Sequence, residues 1–279
     1  MTHTITATSG PENSITDISG LRIGQAHDSH ANTGVTVIIP DSPATMGVDV
    51  RGGGPGTRET DALSPSCLVQ QFHGLVFSGG SVFGLAAADQ IVTRLSQDKI
   101  GLDMGGLHVP VVPSAILFDL KNSGDKNWGN TPPYRALADQ AYDNLSPQFQ
   151  QGRAGAGYGA MAGGKQGGIG SASFITPDGL CVAALVIVNS FGESAPDDHR
   201  APLGTVASDK LGMLGGNTTL ALVATNLDLD KAACQRLAIM GHDGLARAIR
   251  PLHTPFDGDS VFAMAMGQSQ FWPQIKPSP

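Results

Sequence analysis

Leu214-Gly-Gly-Asn-Thr-Thr-Leu-Ala-Leu-Val-Ala-Thr-Asn226 is the stretch on which the reading of this chain turns. Two glycines lead into Asn217, and a threonine pair then opens an apolar, strand-like run. A threonine hydroxyl is a weak nucleophile unless a base sits beside it. A chain break before Thr218 would put that base on the same residue, as a new α-amino group. Such an amine has a pKa of roughly 7.7–8.0, so it accepts a proton near neutral pH. By itself a Thr-Thr pair opening a strand is ordinary, because β-branched residues suit strands. The surrounding chain has to decide.

Downstream, residues 218–225 read as a strand. Asp228 or Asp230 can cap a helix that runs to Arg250 and stops at Pro251. Its apolar stripe is Cys234, Leu237, Ala238, Gly241, Leu245, Ala248 and Ile249. A further strand covers 260–266. Upstream, strand-like segments fall at 15–23, 34–39, 45–50 and 74–78, and helix patterns at 82–95 and 133–145. Residues 171–176 and 180–188 form a hairpin pattern around Pro177-Asp-Gly179. The alternation predicts a layered α/β architecture with helices covering stacked sheets, and the hairpin means the sheet is not wholly parallel.

The chain has 279 residues, long enough for one full core, and no linker or low-complexity tract divides it. Glycine is abundant at 37 residues and aromatics make up only 5%. That composition predicts small aliphatic side chains in closely packed layers. A net charge of −7 with 15% charged residues argues against nucleic acid or an anionic membrane as partner. Cys67, Cys181 and Cys234 have no metal-like spacing and read as reduced thiols of a cytoplasmic protein. The N-terminus lacks the pattern of a signal peptide, and no apolar run reaches about 18 residues.

Three motifs are set aside. Gly155-Ala-Gly157-Tyr-Gly-Ala160 has dinucleotide-fold spacing, but a polar stretch precedes it and a glycine-rich one follows. Phe77-Ser-Gly-Gly-Ser81 lacks the Gly-Lys-Ser/Thr of a P-loop. Asp257-Gly-Asp259 with His242 and His253 matches neither an EF-hand nor a zinc spacing, so no metal and no cofactor are expected.

Several segments, in order, resemble peptidase family S58. These self-cleaving N-terminal-nucleophile hydrolases include L-aminopeptidase D-amidase/esterases, β-peptidyl aminopeptidases and nylon-oligomer hydrolases. The matching stretches include Asn13-Ser-Ile-Thr-Asp-Ile-Ser-Gly-Leu-Arg-Ile-Gly24, Val48-Asp-Val-Arg-Gly-Gly-Gly-Pro-Gly-Thr-Arg-Glu-Thr-Asp61, Phe77-Ser-Gly-Gly-Ser-Val-Phe-Gly-Leu-Ala-Ala-Ala-Asp89, residues 216–225 and the His242–Phe262 segment with its Asp-Gly-Asp. The resemblance covers about residues 13–267.

The resemblance implies a four-layer αββα sandwich (the DOM fold) in one domain, 1–279. It also implies intramolecular cleavage between Asn217 and Thr218 into an α chain, 1–217, and a β chain, 218–279. Gly215 and Gly216 would help place the Asn217 carbonyl against the Thr218 hydroxyl. Homo-oligomers, tetramer-like, are the family's habit. The activity implied is an aminopeptidase or ω-amino-amide hydrolase acting on a small peptide or amide through an acyl-enzyme on Thr218. An acyltransferase of the ornithine-acetyltransferase type and a catalytically silent scaffold stand beside it as alternatives.

By the same resemblance Asp257 and Asp259 would orient and charge-balance the Thr218 amine. Two Asp residues spaced two apart in a strand share a face. Asn189 would donate to the developing oxyanion, and Lys165 would lower the cost of nearby negative charge. Arg58, Phe83 and Phe118 are candidates for the substrate pocket. Phe118 stands where the family often has a tyrosine, and phenylalanine cannot donate a hydrogen bond. Many relatives also continue into a further helix, whereas this chain ends in the Pro-broken stretch 268–279. A neighbouring subunit would then fill the gap.

Overall fold

The computed structural model describes residues 6–194 and 216–269. Gly215, most of the C-terminal stretch and the first five residues lie outside them. Eleven strands build two sheets. In chain order these are β1 (Thr8–Ser9), β2 (Leu21–Asp28), β3 (Thr33–Pro40), β4 (Thr45–Val50), β5 (Thr57–Arg58), β6 (Leu75–Ser78), β7 (Ser114–Ile116), β8 (Gly168–Ile175), β9 (Cys181–Asn189), β10 (Thr218–Leu227) and β11 (Ser260–Ser269). One sheet has the order β1-β8-β9-β10-β11-β4, the other β2-β3-β6-β7-β5. β10 and β11 are parallel, with α3 (Lys231–Ala248) connecting them; β9 lies antiparallel to β10, and β4 to β11.

Three apolar clusters define the layers. Between the sheets, Ile23, Ile38 and Phe77 of one meet Leu185, Leu220, Leu222 and Phe262 of the other. On the outer face of the smaller sheet, Val35, Val37 and Val76 pack under α1 (Ala86–Gln97) and α2 (Tyr134–Asp143). On the outer face of the larger sheet, Ala221, Val261 and Ala263 pack under Cys234, Ala238 and Leu245 of α3. Alternation along β10 explains the split: Leu220, Leu222 and Ala224 point to the inter-sheet core, and Ala221 points to α3. The result is the expected αββα stack. Helix–sheet contact is close where glycine allows it. A Cβ at Gly47 of β4 would lie 2.3 Å from the Gln235 nitrogen of α3, and one at Gly24 of β2 would lie 1.9 Å from the Ala141 carbonyl of α2.

The structure corrects several local expectations. Residues 15–23 are not one strand. Ser14 and Asp17 form a capping box around a single 3-10 turn, Ile15–Asp17, and the strand begins at Leu21. The helix expected from residue 82 starts at Ala86, after a 3-10 turn at Ser81–Leu85 whose Val82 and Phe83 are exposed. α3 is capped by Asp230, whose side chain accepts from the Ala233 N–H at 2.8 Å, and it ends at Ala248 rather than Arg250. Ala248 is exposed, and His242 is buried on that helix instead. The Gly155–Gly157 segment is a buried 3-10 turn. No helix among the described residues is long and apolar enough to cross a membrane.

Candidate active site

Thr218 opens β10 in the interior of the larger sheet, between β9 and β11. Directly opposite it on antiparallel β9 is Asn189, the last residue of that strand. Opposed residues of an antiparallel pair project to the same face, so the two side chains share one side of the sheet. On the other flank the β10–β11 ladder continues backwards as a parallel bridge between Asn217 and Asp257. Asn189, Asn217, Thr218, Thr219, Asp257 and Asp259 are each no more than 2% exposed. A polar group buried this deeply is costly unless it is hydrogen-bonded.

The backbone around Thr218 meets that demand through the 257–259 segment. The Asn217 carbonyl accepts from Thr218 Oγ1 at 2.5 Å and from the Gly258 N–H at 2.8 Å. The Thr219 N–H donates to Asp259 Oδ1 at 2.6 Å. The Asn217 side-chain amide has no partner among the described residues.

Asp257 and Asp259 precede β11 instead of lying within it, so strand alternation does not aim them; a local loop does. Asp257 Oδ1 accepts from the Phe191 N–H at 3.1 Å, and Oδ2 accepts from the Thr254 N–H at 2.9 Å and its hydroxyl at 2.6 Å. Asp259 Oδ2 accepts from the His253 N–H at 3.0 Å and pairs with its ring Nδ1 at 2.7 Å. Burial, and then the charge of Asp259, push the Asp257 carboxyl above the usual carboxylate range; the Thr254 and Phe191 hydrogen bonds oppose the shift. His253 in turn meets His242 edge-on, with ring centroids 4.7 Å apart. His242 Nε2 sits 3.0 Å from the Asp49 carbonyl, and burial pushes its pKa down.

Asn189 is held from three sides. Its Oδ1 accepts from Asn122 Nδ2 at 3.0 Å and from the Met161 N–H at 2.9 Å, and its Nδ2 donates to the Phe118 carbonyl at 3.0 Å. With the oxygen claimed twice, the NH2 group can face only the Phe118 side, and one carbonyl uses one of its two protons. Phe118 therefore enters the site through its main chain.

The remaining candidates have other partners. Lys165 sits on the short hairpin of Met161–Ala162 and Lys165–Gln166, its side chain 78% exposed and its ammonium 3.3 Å from Glu193. Arg58 pairs with Asp89 of α1, which also binds Arg135. Phe83 packs edge-on against Trp128, with centroids 5.7 Å apart. These contacts draw Arg58 and Phe83 to the α1–α2 side of the molecule, not to Thr218. Sequence reasoning missed Asn122, which lies 67 positions from Asn189, and the supporting roles of His253 and Thr254. The one available signal was the short step from His253-Thr254 to Asp257-Gly-Asp259.

A family model for peptidase family S58 matches residues 13–276, and the chain belongs to that family. It is an enzyme of the peptidase and amidohydrolase type. An uncharacterised aminopeptidase of Mycobacterium leprae (strain TN) is 42% identical over 289 residues, covering 92% of this chain and 79% of that protein. The 6-aminohexanoate-oligomer endohydrolase of Paenarthrobacter ureafaciens is 28% identical, over 89% and 73% of the two chains. Among solved structures, the L-aminopeptidase D-Ala-esterase/amidase of Ochrobactrum anthropi superposes with a TM-score of 0.72 at 22% identity, over 99% of this chain and 79% of that one. Its structure is described as a variant of the Ntn hydrolase fold. A β-aminopeptidase of Burkholderia sp. gives the same TM-score and identity, over 98% and 79%. The four layers described above are that fold.

Proposed function

We propose that the chain cuts itself between Asn217 and Thr218 and then hydrolyses small peptides or amides with Thr218 as an N-terminal nucleophile. The observation that carries this reading is the Thr218 hydroxyl, buried and 2.5 Å from the oxygen of the carbonyl it would attack. In the cut, Oγ1 adds to the Asn217 carbon, the C–N bond breaks, and the departing Thr218 nitrogen takes the hydroxyl proton. Water then hydrolyses the ester, leaving an Asn217 carboxylate and a free Thr218 amine.

That amine is the base for turnover. In the uncut chain two buried carboxylates, Asp257 and Asp259, border the Asn217–Thr219 segment, and one is already pushed towards its neutral form. The protonated amine supplies the missing counter-charge. Thr218 Oγ1 attacks the substrate carbonyl, the amine product leaves, and water releases the acid. The uncommitted N–H of Asn189 would meet the oxyanion, a contact worth about 3 kcal/mol in comparable sites. Lys165 lies on the hairpin whose Met161 N–H holds Asn189, its ammonium paired with Glu193, and these steps do not require it. Support for an aminopeptidase or ω-amino-amide substrate comes from the named activities of the relatives.

Denaturing mass spectrometry of purified protein tests the reading. Two species with masses for 1–217 and 218–279 are expected, and one intact chain for Thr218→Ala. A single full-length species in active wild-type protein would overturn the mechanism. Aminoacyl p-nitroanilides and 6-aminohexanoate oligomers, assayed side by side, then separate the two substrate classes.

A further inference from the structure

We infer that self-cleavage and substrate turnover use different oxyanion donors: the backbone N–H of Gly258 for the first and Asn189 for the second. This rests on the self-cleavage proposed above. β10 has a neighbour on each side, β9 carrying Asn189 and β11 preceded by Gly258. The carbonyl of Asn217 points towards the β11 side, where it accepts the Gly258 N–H at 2.8 Å as part of the parallel bridge to Asp257. Asn189 is on the opposite flank, and its NH2 group faces the Phe118 carbonyl. In the uncut chain the scissile carbonyl is thus polarised from the β11 side.

Gly258 is built for this approach. A Cβ there would sit 2.5 Å from the Gly54 carbonyl oxygen and 2.9 Å from Thr218 Oγ1. Gly54 in turn donates its N–H to the Asp257 carbonyl at 2.9 Å, which fixes the segment from the other side. The donor is a main-chain amide in an ordered ladder, so it needs no reorganisation as charge builds on the oxygen. That is the property that makes such donors effective. In the step itself, Oγ1 forms a bond to the Asn217 carbon and the carbonyl π pair moves onto oxygen, where the Gly258 N–H holds it. The pair returns as the C–N bond breaks, and the hydroxyl proton passes to the Thr218 nitrogen. After hydrolysis the held oxygen belongs to a carboxylate, and an incoming substrate reaches Oγ1 on the side-chain face that Thr218 shares with Asn189.

The test follows self-cleavage in time after cell-free synthesis, by denaturing mass spectrometry, alongside hydrolysis by the finished protein. Asn189→Ala is expected to cleave within about threefold of the wild-type rate, yet to lose about 100-fold or more in turnover. Gly258→Pro, which lacks the N–H, is expected to remain a single chain, whereas Gly258→Ala, which adds the same Cβ near Thr218 Oγ1 but keeps the N–H, is expected still to cut. Circular dichroism and the thermal midpoint report whether each variant folds. A folded Asn189→Ala that stays uncut, or a Gly258→Pro that cuts at the wild-type rate, overturns the assignment. A Gly258→Ala chain that folds and yet stays uncut would show that the Cβ, not the lost N–H, stops Gly258→Pro, and would overturn the Gly258 half of the assignment. A wild-type chain that never cuts, or a Thr218→Ala chain that still does, would instead sink the self-cleavage reading itself.

Discussion

Asn189 and Thr218 stand directly opposite each other on neighbouring antiparallel strands, and the Asn189 amide is fixed by three hydrogen bonds. The donor and the hydroxyl therefore share one rigid sheet. Preorganised geometry of this kind is what oxyanion stabilisation requires.

Asn122 fixes the orientation of the Asn189 amide. Its Nδ2 bonds both Asn189 Oδ1 and the Gly159 carbonyl, each at 3.0 Å. Asn122→Asp places an acceptor where a donor stood, which favours a flipped Asn189 amide. We expect kcat to fall about 100-fold in Asn122→Asp and about 10-fold in Asn122→Ala, with KM nearly unchanged. Equal losses in the two variants would point to a packing role only.

Uncut protein should show the strain of its paired carboxylates as a pH dependence. The Asp257 pKa is raised in the fold, so its stabilising contribution is complete below the ordinary carboxylate value of about 3.9. It is lost as pH rises through the raised value. Urea unfolding of Thr218→Ala and of Thr218→Ala/Asp257→Asn, over a pH series, isolates this group. The difference in stability between them should shrink with rising pH across that window, and a flat difference would refute the effect.

Thr254 opposes the shift of Asp257 with a hydroxyl 2.6 Å from Oδ2. Thr254→Val keeps the shape and removes the donor, so the Asp257 pKa moves further up. If an ionised Asp257 balances the Thr218 ammonium, the acid limb of kcat/KM moves to higher pH. A pH–rate profile superimposable on wild type would argue that Asp257 works in its neutral form.

Lys231 makes a different kind of contact. It is buried, and its ammonium bonds the carbonyls of Ala62, Cys67 and Val69 at 3.2, 2.9 and 2.8 Å. Lys231→Met should cost roughly 2–4 kcal/mol of stability, as lost charge-assisted hydrogen bonds. Chemical denaturation measures it, while the kcat of the folded fraction stays near wild type.

Much of this architecture could be read from sequence because its signals are local. The alternation after Thr218 separates a core-facing row from a helix-facing row, and Asp230 announces α3. The failures have physical causes. Ile15 and Thr16 carry β-branched side chains, but Ser14 and Asp17 compete for the backbone and close a turn. His242 lies on the buried side of a helix whose apolar stripe predicted Ala248 there. Asn122 is invisible in the chain because its meaning comes from Asn189, which only folding brings near. His253 was set aside as an unmatched metal ligand, yet it faces Asp259 from a backbone with φ of +56°, a conformation no periodicity anticipates.

The position of β10 and β11 has one more consequence. Both lie after residue 217, yet they fill the middle of the sheet, with β9 on one side and β4 on the other. The order along the polymer and the order across the sheet are different things here, and only the first changes when one peptide bond is lost. A gene split at that point would encode a receptor sheet with a gap two strands wide and an insert that completes it by strand addition. Covalent linkage would then serve assembly, and the ladders on either flank would hold the finished protein together.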